Sequence, residues 1–316
     1  MPKFTIIHTT SYNYNHKVYD SANQIMLYPI EDEWQELLTH KLKISGDPLV
    51  DIFTDYYGNK VGTFTNPQLH EQLQIESTII VQTLKKILPN RSIFLADQWA
   101  TLHSLAKQIP YINFLKQEQM TASDEIFKVV NPEIHQNESP LQVAEFFCDY
   151  VFKNFQYVKG VTTVETTVDE IWKIKSGVCQ DFAHILLVML RYVNIPARYV
   201  SGYICPNHNG MRGEGATHAW VEAYIPDYGW LGLDPTNNCL VDDNHVRLAV
   251  GRNFVDCSPV KGTYKGTSNH TLSVKVIVSY ENDPIPKIDE VIEKITTDTA
   301  LNSYQRFIEM QQMQQQ

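Results

Sequence analysis

The stretch SGVCQDFAHILLVMLRYVNIPARYVSGYI, residues 176–204, sets the strongest constraint on this chain. After Cys179, apolar residues recur at nearly every helical position: Phe182, Ile185, Leu186, Val188, Met189, Leu190 and Val193. A helix that is apolar on nearly every face has no side to offer water, so other elements must surround it. Asn194-Ile195-Pro196 ends the helix. The chain must therefore fold around a buried helix that carries a cysteine at its start. Three readings of that thiol are open: core packing, metal ligation and nucleophilic attack.

The remaining text narrows the setting. With 316 residues the chain has room for one large domain or two ordinary ones, and for a core that needs no covalent staples. A net charge of −10 argues against nucleic acid or an anionic membrane as partner. The five cysteines (Cys148, Cys179, Cys205, Cys239 and Cys257) are odd in number and widely spaced, with no Cys-x-x-Cys pair. Neither a disulfide framework nor a zinc ribbon is indicated. The start, MPKFTIIHTTSYNYN, lacks the apolar run of a signal peptide, and ILLVML at 185–190 is too short to span a bilayer. The expected location is a reducing cytoplasm, with no membrane partner.

Residues 1 to about 85 read as strands: KFTIIHTTSYNY, QIMLYPI, THKLKISG, LVDIFTDYYGNKVGTFT and HEQLQIESTIIVQT are short, rich in β-branched and aromatic residues, and bounded by turn formers. The Gly-Asn pair in YYGNKV predicts a hairpin. From 86 to 160 the spacing turns helical, and Ser139-Pro140 forms an N-cap and first-turn pair. Thr167 with Glu170 predicts a capping box before the buried helix. Strands ARYVSGYI, THAWVEAYI, GWLGLDPT and TLSVKVIVSY follow, the first two separated by the glycine-rich loop CPNHNGMRGEGA. The resulting division is an N-terminal β domain at 1–88, a core at 89–283 and a helical or disordered tail at 284–316, in an α+β fold.

A helix N-terminus carries partial positive charge and unpaired N–H groups. Both favour a thiolate at Cys179, and the same N–H groups can meet an oxyanion on a carbonyl under attack. Gly177 would let a substrate backbone come close. A base must then be found. His184, five residues on, lies about 140° around the helix from Cys179 and reads as structural or as a neighbour of the site. His218 is better placed. It lies in THAWVEAYIPDYGWLGLDPT, where a turn centred near Asp227 brings His218 and Asp234 opposite or diagonal to one another. A satisfied core histidine and a turn aspartate are the plainer readings of these two residues. Cys179, His218 and Asp234 together point to a thiol nucleophile, a base and an orienting acid.

SGVCQDFAHILLVMLRYVNIPARYVSGYI, THAWVEAYI and GWLGLDPTN resemble the transglutaminase-like superfamily of papain-like cysteine enzymes, in its bacterial branch. YNYNHKVYDSANQIMLYPI and DYYGNKV are similar to the β domain preceding the core in that branch, and GRNFVDCSPVKGTY to the stretch after the acid. The resemblance reaches to about residue 283. It implies a papain-like core with a buried helix packed on an antiparallel sheet. It also implies that Cys179 is the nucleophile, His218 the base and Asp234 the acid. At Asn253 the branch commonly has Asp, so no charge or metal role carries over there.

Trp220, two residues beyond His218 on the same strand face, is a candidate for lining a substrate cleft, as is Tyr203; core packing is the alternative for both. Asp181 reads as structural, and Cys148, Cys205, Cys239 and Cys257 as packing residues. Cys179, His184 and His218 have no usual zinc spacing, so no metal is expected, and no cofactor. The expected activity is acyl transfer from a peptide or protein amide through a thioester. No feature demands the lid that would exclude water, so hydrolysis by a peptidase or amidase is favoured. Protein cross-linking with an amine acceptor would use the same triad. A binding or assembly module that keeps the fold without turnover is the remaining alternative.

Overall fold

The computed structural model describes residues 1–89, 95–117, 123–131, 137–164, 166–205, 211–212, 217–280 and 295–296. The chain forms two compact units: Met1–Leu84 together with the chain from Ser258 onward, and Lys85–Cys257. Among the described residues no helix is long and apolar enough to cross a membrane.

The first unit is built on β1 (Lys3–Ile25), whose first half alternates buried and partly exposed positions. It is followed by β2 (Gln35–Ile44), β3 (Asp51–Thr54), β4 (Lys60–Asn66) and β5 (His70–Thr83). The alternation in β5 sends Leu73, Ile75, Ile79 and Val81 inward, where each is 0% exposed. β3 and β4 form the hairpin expected from YYGNKV. Asp55 accepts the N–H groups of Tyr57 and Asn59 at 2.9 and 2.8 Å, and Gly58 supplies the left-handed residue at φ +87°.

The second unit opens with α1 (Leu95–Leu105), α2 (Ser123–Val130) and α3 (Pro140–Asn154). Ser139 caps α3, and Gln142 closes the box by accepting the Ser139 N–H at 2.9 Å. Then come β6 (Gln156–Tyr157), α4 (Val168–Ile174) with its Thr167–Glu170 box, β7 (Ser176–Gly177) and α5 (Cys179–Tyr192). Phe182, Ile185, Leu186, Met189 and Leu190 of α5 are all 0% exposed. Burying each of these is worth about 1.5–3 kcal/mol. α5 packs against α2, α3, α4 and the sheet strands β8 (Ala197–Ile204) and β9 (Thr217–Ile225). At its end the buried Arg191 donates to the carbonyls of Phe114, Lys116 and Ala197, which satisfies a cation at the negative end of the helix.

That sheet is antiparallel and is completed by β10 (Gly229–Asp234), β11 (Cys239–Leu240) and β12 (His245–Gly251), in the order β11-β10-β9-β8-β12. His218, Trp220 and Glu222 alternate along one face of β9. Glu222 is buried, yet Arg198 at 2.6 Å and Arg247 at 3.6 Å keep it ionised, overcoming burial to hold its carboxyl down at about 2. Gly202 pairs with His218 across β8 and β9. A Cβ at Gly202 would collide with the Val246 carbonyl and the Trp220 indole. A short α6 (Phe254–Cys257) ends the unit.

The chain then returns to the first unit as β13 (Val260–Lys265) and β14 (His270–Tyr280), both antiparallel to β1. This differs from a division that leaves residues up to 283 with the core. Phe4 to Tyr14 of β1 pair residue by residue with Tyr280 to His270, and this ladder assigns the segment to the β unit. Within the expected tail, Ile295–Thr296 form β15 on β14 rather than a helical turn. The rest of 284–316, and most of the glycine-rich loop at 205–216, lie outside the described residues.

These features rank two substitutions. Gly202→Ala should cost about 1–3 kcal/mol, because backbone and indole must both move. Ser139→Ala should cost ~1 kcal/mol through loss of the cap. Chemical denaturation of both variants checks the order, and a Gly202→Ala midpoint equal to that of the wild type would contradict the packing argument.

Candidate active site

The site begins at the turn between α4 and α5. Lys175 ends α4 in the left-handed region, at φ 51°. Ser176-Gly177 then pairs in parallel with Gln156-Tyr157, which fixes the chain just before Cys179. Val178 is extended, and Cys179 is the first residue of α5, so its N–H is among those that the helix leaves unpaired. Asp181, in the first turn, folds back. Its Oδ2 accepts the Val178 N–H and the Thr162 hydroxyl, each at 2.7 Å. Burial raises the Asp181 carboxyl, and these two donors act against the rise.

Gly177 serves this arrangement and not a substrate backbone. It is buried, and a Cβ there would strike the Asp181 carboxylate. Asp181, not a ligand, therefore takes the space that the missing side chain leaves. Trp220 and Tyr203 are each 0% exposed, which sets both in the core of the unit instead of on a cleft wall. Cys179 is partly exposed, whereas Cys148, Cys205 and Cys257 are buried; all five cysteines are free. Burial pushes the Cys148 and Cys205 thiols well up.

The β9–β10 register pairs Leu233 with Val221 and Gly229 with Ile225. His218 and Asp234 are thus diagonal neighbours about the Asp227 turn. Asp234 is 0% exposed and works through both oxygens. Oδ1 accepts the N–H groups of Thr236 and Asn237, at 2.9 and 3.3 Å, which makes the turn after β10. Oδ2 lies 2.9 Å from His218 Nε2 and accepts from Asn237 Nδ2 at 2.7 Å. One oxygen closes the turn and the other faces the His218 ring.

Burial alone would raise the Asp234 carboxyl. The charge and hydrogen bond of His218, with help from His245, hold it well below the usual carboxylate range. The imidazole of His218 moves the opposite way. Burial would lower it, but Asp234 and Cys179 raise it to about 9. Because Nε2 carries the proton toward Asp234, Nδ1 is the nitrogen free to act as base. Nδ1 makes no hydrogen bond of normal geometry, although Cys179 is close enough to raise the ring.

His184 is occupied elsewhere: its Nε2 accepts the Phe254 N–H at 3.2 Å and its ring lies against Tyr199. Asn237, Asp242 and His245 escaped the sequence reading. His245 Nε2 is 3.5 Å from Asp234 Oδ2, and its Nδ1 is 2.9 Å from Asp242 Oδ1. Asn237 carried a usable signal, because an Asp with Asn three residues on, beside Pro, suggests a side-chain-closed turn. His245 carried none, since its approach depends on the pairing of β12 with β8.

Residues 128–235, a span containing Cys179, His218 and Asp234, match the transglutaminase-like superfamily. Residues 4–82 match the bacterial transglutaminase-like N-terminal region. An uncharacterized protein of Mycobacterium tuberculosis is 30% identical over 308 residues, covering 90% of this chain and 95% of that one. Another, of Mycobacterium leprae, is 29% identical over 283 residues, covering 88% of this chain and 99% of that one. Among solved structures, a "Putative Cysteine Protease" from Cytophaga hutchinsonii superposes with a TM-score of 0.73 at 22% identity, over 93% of this chain and 96% of that one. That likeness is one of fold, and it agrees with the papain-like α+β core and the preceding β domain. By its sequence and its fold, this chain belongs to the bacterial transglutaminase-like family.

Proposed function

We propose that this chain is a cysteine-dependent hydrolase of amide bonds in a peptide or protein. The observation that carries the reading is a buried imidazole–carboxylate pair, 2.9 Å from nitrogen to oxygen, beside a partly exposed thiol at the start of a helix. Cys179 gives its proton to His218 Nδ1, and the thiolate attacks the amide carbonyl carbon. A C–S bond forms and the carbonyl electron pair moves to oxygen, where the Cys179 N–H at the helix N-terminus meets it. As the tetrahedral adduct collapses, the C–N bond breaks and Nδ1 returns its proton to the leaving amine. Water then attacks the thioester and gives a proton to Nδ1. The C–S bond breaks, and the acid and the thiol are regenerated. Asp234 fixes the ring with Nε2–H inward and stabilises the imidazolium in both halves. The partial exposure of Cys179 supports water as the acceptor.

The test is side-by-side thermal melting and amide hydrolysis. Cys179→Ala should abolish turnover and melt close to the wild type, because little buried volume is lost. His218→Ala should be equally inactive, because members of a catalytic unit are not additive. Asp234→Asn should retain a small residual activity, since the same change in a serine triad costs roughly 10⁴-fold in kcat. It should also lose stability, because a buried acceptor of several donors is replaced. Wild-type turnover in Cys179→Ala would end the nucleophile assignment. Adding a primary amine separates the acceptors: free acid should dominate, and a dominant amine adduct would make the chain a cross-linking enzyme instead.

The raised imidazole also sets a pH dependence. His218 sits near 9 in the fold against an ordinary value of 6.5. Its protonated form therefore contributes stability that is fully present below 6.5 and is lost as pH rises through about 9. Melting curves of the wild type against His218→Ala should converge across that window. A constant difference across it would contradict the assignment.

A further inference from the structure

Behind the Asp234–His218 pair stands a second imidazole that the hydrolytic steps leave unused. His245 is 4% exposed, and both of its ring nitrogens face carboxylates: Asp242 Oδ1 at 2.9 Å and Asp234 Oδ2 at 3.5 Å. A neutral imidazole has one N–H and one lone pair, and would turn the lone pair toward one of these anions. The imidazolium donates to both. The Asp242 backbone N–H also lies 3.3 Å from Nδ1, but the carboxylate oxygen is nearer and requires a proton between them. Trp220 holds the ring edge-on, with centres 5.3 Å apart at 77°.

Among the described residues, three more groups surround this cation. Cys239 of β11 contacts the ring, His218 of β9 lies with its centre 6.5 Å away, and Cys148 of α3 is near Asp234 and Cys239. Asp234, Cys239 and His245 bring ligand-type atoms within 4.8 Å of one another. The Asp234 oxygens and the His245 nitrogens are already committed to hydrogen bonds, so the cluster works as a network.

We propose that His245 is a positioning residue: a second, charged imidazole, braced by Asp242, that holds the Asp234 carboxylate toward His218 and shares its negative charge. The proposal rests on the roles given above to Asp234 and His218. Burial would lower His245, but its bonds to Asp234 and Asp242 raise it well above its ordinary value, as the geometry requires. Sharing the charge matters because His218 must release its proton to the departing amine. With Asp234 pulling on His218 alone, the imidazolium would be a weaker acid and amine departure would slow.

The experiment compares the wild type, His245→Gln and Asp242→Asn. Histidine-labelled protein gives the titration of the His218 Cε1–H signal by NMR, and iodoacetamide gives the alkylation rate of Cys179 across the same pH range. In His245→Gln the His218 midpoint should rise from about 9 by on the order of one pH unit. Asp242→Asn removes an anion while Asp234 still keeps the His245 ring charged, so it should shift the midpoint the opposite way, downward, by a smaller amount. Asp242 has a side chain 47% exposed, so this variant leaves the core intact and decides the matter if His245→Gln does not fold. A purely structural histidine would lower melting and leave the His218 midpoint in place. That result in both variants would overturn the proposal. A Cys179 unreactive in the wild type, together with a shifted His218 midpoint, would overturn the hydrolase reading and uphold the coupling of His245 to His218 through Asp234.

Discussion

Asp234 is a fully buried anion. A buried carboxylate costs several kcal/mol unless donors surround it, and here they come from three directions. The turn after β10 supplies backbone N–H groups and the Asn237 amide, β9 supplies His218, and β12 supplies His245. Each donor is held by a different feature of the fold. His218 depends on the β9–β10 hairpin, His245 on the pairing of β12 with β8, and the turn on Asp234 itself. The carboxylate makes the hairpin register, the sheet order and the turn geometry energetically interdependent.

The same sheet face extends this logic. Gly202 leaves room for the Trp220 indole, and Trp220 packs against His245. Glu222, two residues further along β9, repeats the pattern with opposite partners: a buried carboxylate between Arg198 and Arg247. One face of one strand thus carries an imidazole, its packing neighbour and a paired acid. The strand can bury His218 and Glu222 because groups of opposite charge on β10, β8 and β12 meet them.

Much of this was readable in the chain before any coordinates. Most strands, the Ser139 cap, the Thr167–Glu170 box, the YYGNKV hairpin and the diagonal relation of His218 to Asp234 are local or near-local. They follow from spacing, turn residues and the period of two. What could not be read depends on contacts between distant residues. Nothing in SGVCQD says that Asp181 turns back over Gly177. The strand face of Trp220 and Tyr203 is legible, but what covers that face is not. His245 stayed hidden because its partner strand joins the opposite edge of β8 from β9. The place of 258–280 in the β unit is hidden for the same reason, since a register between residues near 10 and near 275 leaves no trace in either segment alone.

That last register bears on biosynthesis. β5 pairs with one edge of β1 and β14 with the other. As the chain emerges from the ribosome, β1 to β5 can assemble early. The second edge of β1 must then wait while all of Lys85–Cys257 is made, a delay on the order of tens of seconds at ordinary translation rates. For that interval the nascent protein presents an open ladder of N–H and C=O groups beside the inward-pointing Phe4 and Ile6, the kind of edge that recruits stray strands. The second unit has all its strands in one continuous segment and can close first. The unit that carries Cys179, His218 and Asp234 is then complete while the β unit still has an open edge.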